Sequence, residues 1–97
     1  MTNKKKDENE KTEKDIIEDN VKRVLAETLR KYRTQARRSQ QDVATRCNMS
    51  FRYYQELEAG AKKPTITTLF KLADSLEVDP AELIKPVYVV WQTLKGD

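Results

Sequence analysis

The sequence predicts an all-α domain of five helices, and three observations carry that reading. Apolar residues recur three or four apart over residues 16–32 and 66–76, which is the spacing of one helix face. Ser39, Ser50, Thr65 and Asp79 each stand directly before a helix-compatible stretch, in the position where a side-chain oxygen satisfies a free backbone N–H. No interior segment shows the strict alternation of a half-buried strand.

Residues 1–14 contain no apolar residue after Met1 and consist mostly of Lys, Glu, Asp and Asn. Such a segment cannot bury enough surface to offset chain entropy, and a disordered charged tail is expected there. Lys4, Lys5 and Lys6 would grip phosphate as an arm does, but Asp7, Glu8 and Glu10 cancel much of that field. From Ile16 onward, Ile17, Val21, Val24, Leu25, Leu29 and Tyr32 form an apolar stripe, which places a first helix over residues 15–35.

Ser39 followed by Asp42 has the layout of a capping box, with Asp in place of Glu, so a second helix starts at Gln40. It ends near Cys47, because Asn48 tolerates the left-handed backbone that closes helices. Ser50 caps a third helix over residues 51–58, which Gly60 closes. Lys62-Lys63-Pro64 interrupts the chain. Thr65 then caps a fourth helix, whose stripe is Ile66, Leu69, Phe70, Ala73 and Leu76.

Asp79-Pro80-Ala81-Glu82 starts a fifth helix with Pro at its first position, and this helix is expected to reach about Lys85 and stop before Pro86. The domain therefore spans 15–85, followed by a short apolar extension over 86–97. Within the extension Val87, Val90, Trp91 and Leu94 fit a helical stripe that Gly96 ends, while the β-branched and aromatic content favours a strand.

Ninety-seven residues allow one small domain with one core. The net charge of +3 is unevenly spread: residues 1–20 carry five basic and seven acidic groups, residues 21–64 eleven and four, and residues 65–97 three and five. A basic module between acidic flanks meets phosphate or an anionic surface. With no histidine and one cysteine, Cys47, neither a metal site nor an intrachain disulfide is expected, and no cofactor is implied. The longest apolar run, 87–91, is far short of a membrane span and the N-terminal stretch has no signal-peptide core, so a soluble cytoplasmic chain is expected.

The second and third helices are separated by Asn48-Met49-Ser50, about the length of a helix-turn-helix corner. The ordered set Ser39-Gln40-Gln41-Asp42-Val43-Ala44, Asn48-Met49-Ser50, Leu57-Glu58-Ala59-Gly60, Lys63-Pro64-Thr65, Leu72-Ala73-Asp74-Ser75-Leu76-Glu77-Val78-Asp79 and Glu82-Leu83 resembles the repressor and Cro-like helix-turn-helix family. This is also called the xenobiotic-response-element family, and the likeness runs from Leu25 to Ile84. Two positions depart from the pattern: Asn48 replaces the usual glycine, and Arg38 replaces an apolar residue, which is expected to leave the first helix less firmly docked.

The resemblance implies a lambda-repressor-like domain that lays its third helix in the major groove of double-stranded DNA. In that helix Tyr54 and Leu57 point with Met49 to the core, and Phe51, Arg52, Gln55 and Glu56 point outward. Arg52 is the leading base reader, suited to the bidentate edge of guanine; the alternative is phosphate contact alone. Gln55 and Glu56 occupy positions the family uses for further base contacts. Glu56 either accepts from cytosine N4 or orients Arg52, its partner one turn away. Phe51 either packs on a thymine methyl or staples a neighbouring helix.

Phosphate contacts are expected from Tyr53, from Gln40 (which in the family also braces the third helix), from Arg46, Lys62 and Lys63, and near Thr65. The family pairs an arginine of the first helix with a glutamate ending the third, which assigns Arg33 and Glu58 to a structural ion pair. Cys47 falls on a core position, and a redox role for it is set aside.

These assignments describe a transcriptional regulator, a repressor occupying its operator as a homodimer, with no catalytic step. Val87, Val90, Trp91 and Leu94 are the expected dimerisation residues; the alternative is that Trp91 folds back onto the first helix and completes a monomer's core. The competing function is a protein-interaction module, an antitoxin or adaptor on the same fold. An enzyme built on Cys47 lacks any base in a recognisable arrangement.

Overall fold

The computed structural model describes residues 11–96. Among the described residues there are five helices and no strand: α1 (Glu13–Gln35), α2 (Gln40–Arg46), α3 (Phe51–Glu58), α4 (Ile66–Leu76) and α5 (Pro80–Lys95). Every helix starts on a side-chain cap. Thr12, Ser39, Ser50, Thr65 and Asp79 accept from the backbone N–H of Asp15, Asp42, Tyr53, Thr68 and Ala81, at 2.9–3.2 Å. Each such cap contributes about 1 kcal/mol.

Four helices end in the same way. Beyond α1, α2, α3 and α4 a residue adopts positive φ, namely Arg37 (58°), Asn48 (55°), Gly60 (75°) and Glu77 (59°). The next N–H then reaches back five residues: Arg38 to Arg33, Met49 to Ala44, Ala61 to Glu56, and Val78 to Ala73. This closure satisfies carbonyls that have no partner within the helix. Asn48 and Gly60 suit the conformation, whereas Arg37 and Glu77 hold it at a steric cost of about 1–2 kcal/mol each. At Gly60 the chain also passes close to α1, where an added Cβ would lie 3.6 Å from Arg23 Cα.

Leu25 and Leu29 of α1, Val43 and Ala44 of α2, Tyr54 and Leu57 of α3, Leu69, Leu72, Ala73 and Leu76 of α4, and Leu83 of α5 form one core with Cys47. Half-buried Tyr32, Met49, Tyr53, Val78 and Val87 pack around it. Most of the apolar stripes read from the sequence face inward, but on α4 Ile66 and Phe70 are exposed and the buried face is Leu69, Leu72, Ala73 and Leu76.

Two boundaries differ from the sequence reading. Helix α1 begins at Glu13 under a capping box in which Thr12 and Asp15 each bond the other's backbone N–H, so residues 12–14 belong to the helix and its cap. Of the rest of the expected disordered tail, Lys11 is ion-paired with Asp19 of α1 and residues 1–10 lie outside the described residues. Helix α5 does not stop at Pro86 but runs through it to Lys95, so the extension is a helix continuous with the domain. Proline removes one backbone bond and crowds the preceding turn, at about 3 kcal/mol. Packing along α1 offsets that cost: α1 and α5 are the most extensively contacting helix pair, Val87 sits against the core, and Val90 and Leu94 are half-buried. Trp91 lines a shallow cleft with Glu13, Lys14, Ile17 and Glu18 of α1, 42% exposed, with Lys95 Nζ 5.2 Å from its ring centre.

Candidate nucleic-acid interface

Helices α2 and α3 meet at the corner 47–50, with Asn48 left-handed at its centre and Ser50 capping α3. The two faces of α3 differ sharply. Tyr54, Leu57 and Glu58 are buried, while Phe51, Arg52 and Gln55 are exposed and Tyr53 and Glu56 half-buried. The Arg52 side chain is 88% exposed.

The inner face carries a polar network centred on Glu58, a residue only 4% exposed. Two nitrogens of the Arg33 guanidinium face its carboxylate, Nε on Oε2 and Nη2 on Oε1 at 3.1 Å. The Tyr54 hydroxyl donates to Oε2, and Gln40 Nε2 donates to Oε1 at 2.9 Å. Burial alone would push the Glu58 carboxyl up, but the donors from Arg33, Tyr54 and Gln40 outweigh it and hold the group below the usual carboxylate range. The Tyr54 hydroxyl is pushed far up by burial and by the carboxylate it donates to. Both states reinforce a tyrosine that donates and a carboxylate that accepts.

This network ties three helices together. Arg33 also donates from Nη1 to the carbonyl of Arg38 at 3.0 Å, and Arg30 donates to the carbonyl of Glu58 at 3.3 Å. Gln40 is therefore engaged on its inner side as a brace, and its Oε1 lies 3.5 Å from Gln55 Nε2 on the outer face. Arg30, Arg33, Gln40, Gln55, Glu58 and Ala59 line one cleft beside the start of α2.

The remaining basic residues divide. Lys62 Nζ lies 3.5 Å from Glu56, and Arg46 pairs with Asp42 at 3.1 Å, both on exposed surface. Lys63 is turned the other way, in an ion pair with Glu18 of α1. Thr65 spends its hydroxyl on the cap of α4, and the Tyr53 ring packs against the core.

Arg38, which departs from the family pattern, is engaged in polar contacts. It is 16% exposed, donates to the carbonyl of Ser75 at 2.9 Å and pairs with Glu77 at 2.7 Å and Asp42 at 3.5 Å. The guanidinium thus fastens the α1–α2 turn to the end of α4. Three participants escaped the sequence reading: Arg30, the Tyr54 hydroxyl and the anchoring role of Arg38. Arg30 had one signal, its position three residues before Arg33 on the same helix face.

Among the described residues no helix is long and apolar enough to cross a membrane, and no group of acidic, Cys or His side chains is arranged to hold a metal ion. Cys47 is 2% exposed; burial pushes its thiol up, away from the thiolate that reactivity requires.

The sequence profile of the helix-turn-helix family matches residues 29–83, from the second half of α1 to the start of α5. A protein of Sinorhizobium fredii (strain NBRC 101917 / NGR234), described as an uncharacterised HTH-type transcriptional regulator y4dJ, is 30% identical over 66 residues, covering 68% of this chain and 86% of the relative. No solved structure matches. With its capped corner, its outward-facing α3 and this match over more than half its length, the chain belongs to the Cro/C1-type helix-turn-helix family of DNA-binding regulators.

Proposed function

We propose that the protein is a sequence-specific regulator of transcription, a repressor that lays α3 in the major groove of double-stranded DNA. The observation that carries this reading is the division of α3: its inner face is held by the buried Arg33–Glu58–Tyr54–Gln40 network, and its outer face presents Phe51, Arg52, Gln55 and Glu56. A reader must be rigid, because base discrimination of about 1–3 kcal/mol per bidentate contact is lost if the side chain drifts.

In this reading Arg52 takes a guanine edge and Gln55 and Glu56 add base contacts. Phe51, 40% exposed, meets a thymine methyl. Gln40, Arg46, Tyr53 and Lys62 hold phosphates, and the backbone near Thr65 supplies amides. Lys63 joins them by leaving Glu18. Arg30 is added to the phosphate set on the strength of its place in the cleft beside Gln40.

The protein acts as a homodimer. Ile66, Phe70, Ile84, Tyr88 and Trp91 of α4 and α5 are large apolar residues left 40–60% exposed, which supports this reading. Trp91 is the member of the expected dimer set that faces solvent most, while Val87, Val90 and Leu94 support it from the inner side of α5. A two-fold pair would set two α3 helices about 34 Å apart on one face of the duplex.

Selection of bound sequences from a pool of random duplexes tests this directly. The expected result is an enriched motif with two half-sites one helical turn apart, and a chain that runs as a dimer by light scattering. Arg52→Ala is expected to relax preference at one position of each half-site, and Lys62→Ala to weaken all sequences alike. Equal effects of the two substitutions would overturn the assignment of roles.

A further inference from the structure

Two cations on the outer side of α3 share one carboxylate. Glu56 Oε2 lies 3.7 Å from Arg52 Nε, and its Oε1 lies 3.5 Å from Lys62 Nζ. Glu56 is only 30% exposed, between an arginine that is 88% exposed and a lysine that is 55% exposed. The proposed base reader and a proposed phosphate contact are thus held by the same acid. A carboxylate on a surface that meets a polyanion is repelled by it, so its presence there has to be accounted for.

We infer that Glu56 is a specificity-determining residue: it competes with phosphate for Arg52 and Lys62 on every duplex, and its loss of them is made good only where a cytosine amino group takes their place. The inference rests on the proposed function and goes beyond it by assigning Glu56 a role against wrong sequences. Binding any duplex draws both cations toward phosphate or guanine. On a sequence with no donor opposite Glu56, the carboxylate is left unpaired in a narrow space flanked by negative charge, and the complex carries that penalty. Where a cytosine N4 amino group lies opposite, the carboxylate accepts from it and the penalty disappears. Discrimination is then gained by weakening the unwanted complexes. The other acids of this region are already committed: Glu58 is buried on Arg33, and Asp42 holds Arg46 and Arg38.

The test compares the full chain with Glu56→Gln on two probes, a short duplex of scrambled sequence and the duplex enriched by selection. For Glu56→Gln, affinity for the scrambled duplex is expected to rise about 3–10-fold near 0.1 M salt, with the logarithmic salt dependence steepened by about one, the increment of one further phosphate contact. Preference for cytosine at one position of the motif is expected to vanish, and the ratio of the two affinities to fall. Glu27→Gln removes the same charge from an exposed pair with Arg23 on α1 and is expected to give less than half that rise. Scrambled-duplex affinity that stays level or drops in Glu56→Gln, or a Glu27→Gln effect of equal size, overturns the inference while the proposed function stands. A wild-type chain that enriches no motif overturns both.

Discussion

Arg33 and Glu58, twenty-five positions apart in the chain, meet face to face, with two guanidinium nitrogens on two carboxylate oxygens. The pair joins the last turn of α1 to the last residue of α3 and fixes the angle at which α3 leaves the core. Its two members are not equally buried: the Arg33 side chain is 18% exposed and that of Glu58 only 3%. The two halves are therefore predicted to differ in cost. Arg33→Met leaves a buried carboxylate without its cation and is expected to cost about 3–5 kcal/mol. Glu58→Gln leaves an arginine that water can reach and one amide oxygen, which keeps either Tyr54 or Gln40 because the two donate to different oxygens, for about 1–3 kcal/mol. Denaturant unfolding of both variants checks the order; a larger cost for Glu58→Gln would contradict it.

The same carboxylate sets a pH response. Its folded pKa lies below the ordinary 4.5 because the donors from Arg33, Tyr54 and Gln40 outweigh the effect of burial. A depressed carboxyl pKa contributes stability that is complete above the unfolded value and is lost as pH falls through the folded one. Wild-type melting temperature is expected to hold from neutral pH to about pH 5 and to decline below about pH 4.5. Glu58→Gln is expected to start lower and decline less over the same acid range. Parallel acid limbs in the two melting curves would count against the assignment.

Arg38 gives a third test. Its guanidinium satisfies the Ser75 carbonyl and two carboxylates while 16% exposed. Arg38→Ala is expected to cost about 1–3 kcal/mol, more than an ordinary surface arginine. Arg38→Lys is expected to recover only part, since a point ammonium cannot hold a carbonyl and two acids in one plane. Arg38→Leu, which restores an apolar residue at that position, separates anchoring from size: full stability in that variant would show that the polar contacts add nothing.

Pro86 interrupts a helix that continues past it. Pro86→Ala restores the missing backbone bond and is expected to stabilise by about 1–3 kcal/mol, less than the full proline penalty because the helix has already adjusted. A chain ending at Lys85 loses Val87, Val90 and Leu94, each half-buried. It is expected to lose about 3 kcal/mol, roughly half of the full burial of three such side chains. A truncated chain as stable as the parent would show that the second half of α5 contributes no packing.

The helix starts were legible in the sequence to within two residues. Ser39, Ser50, Thr65 and Asp79 cap the helices they were read to cap. The positive-φ residues were half legible: Asn48 and Gly60 are types that tolerate the conformation, while Arg37 and Glu77 carry no such signal. The outer face of α3 was legible from the period of the helix. The engagement of Lys63 with Glu18, of Arg38 with Ser75 and Glu77, and of Tyr54 with Glu58 was not, although Tyr54 and Glu58 lie one turn apart. A pattern of apolar spacing sorts residues into inside and outside, and it does not say which polar group another will find.

The amino-acid order by itself determined where each helix begins and most of the stripe it buries, because a cap and a stripe are interactions within one or two turns of chain. Only the tertiary structure decided that α5 passes through Pro86 and which groups hold the buried Arg38 guanidinium. Both depend on elements tens of residues away: packing on α1 outweighs a local penalty of about 3 kcal/mol, and burial makes an unpaired charge costly enough to choose its partner.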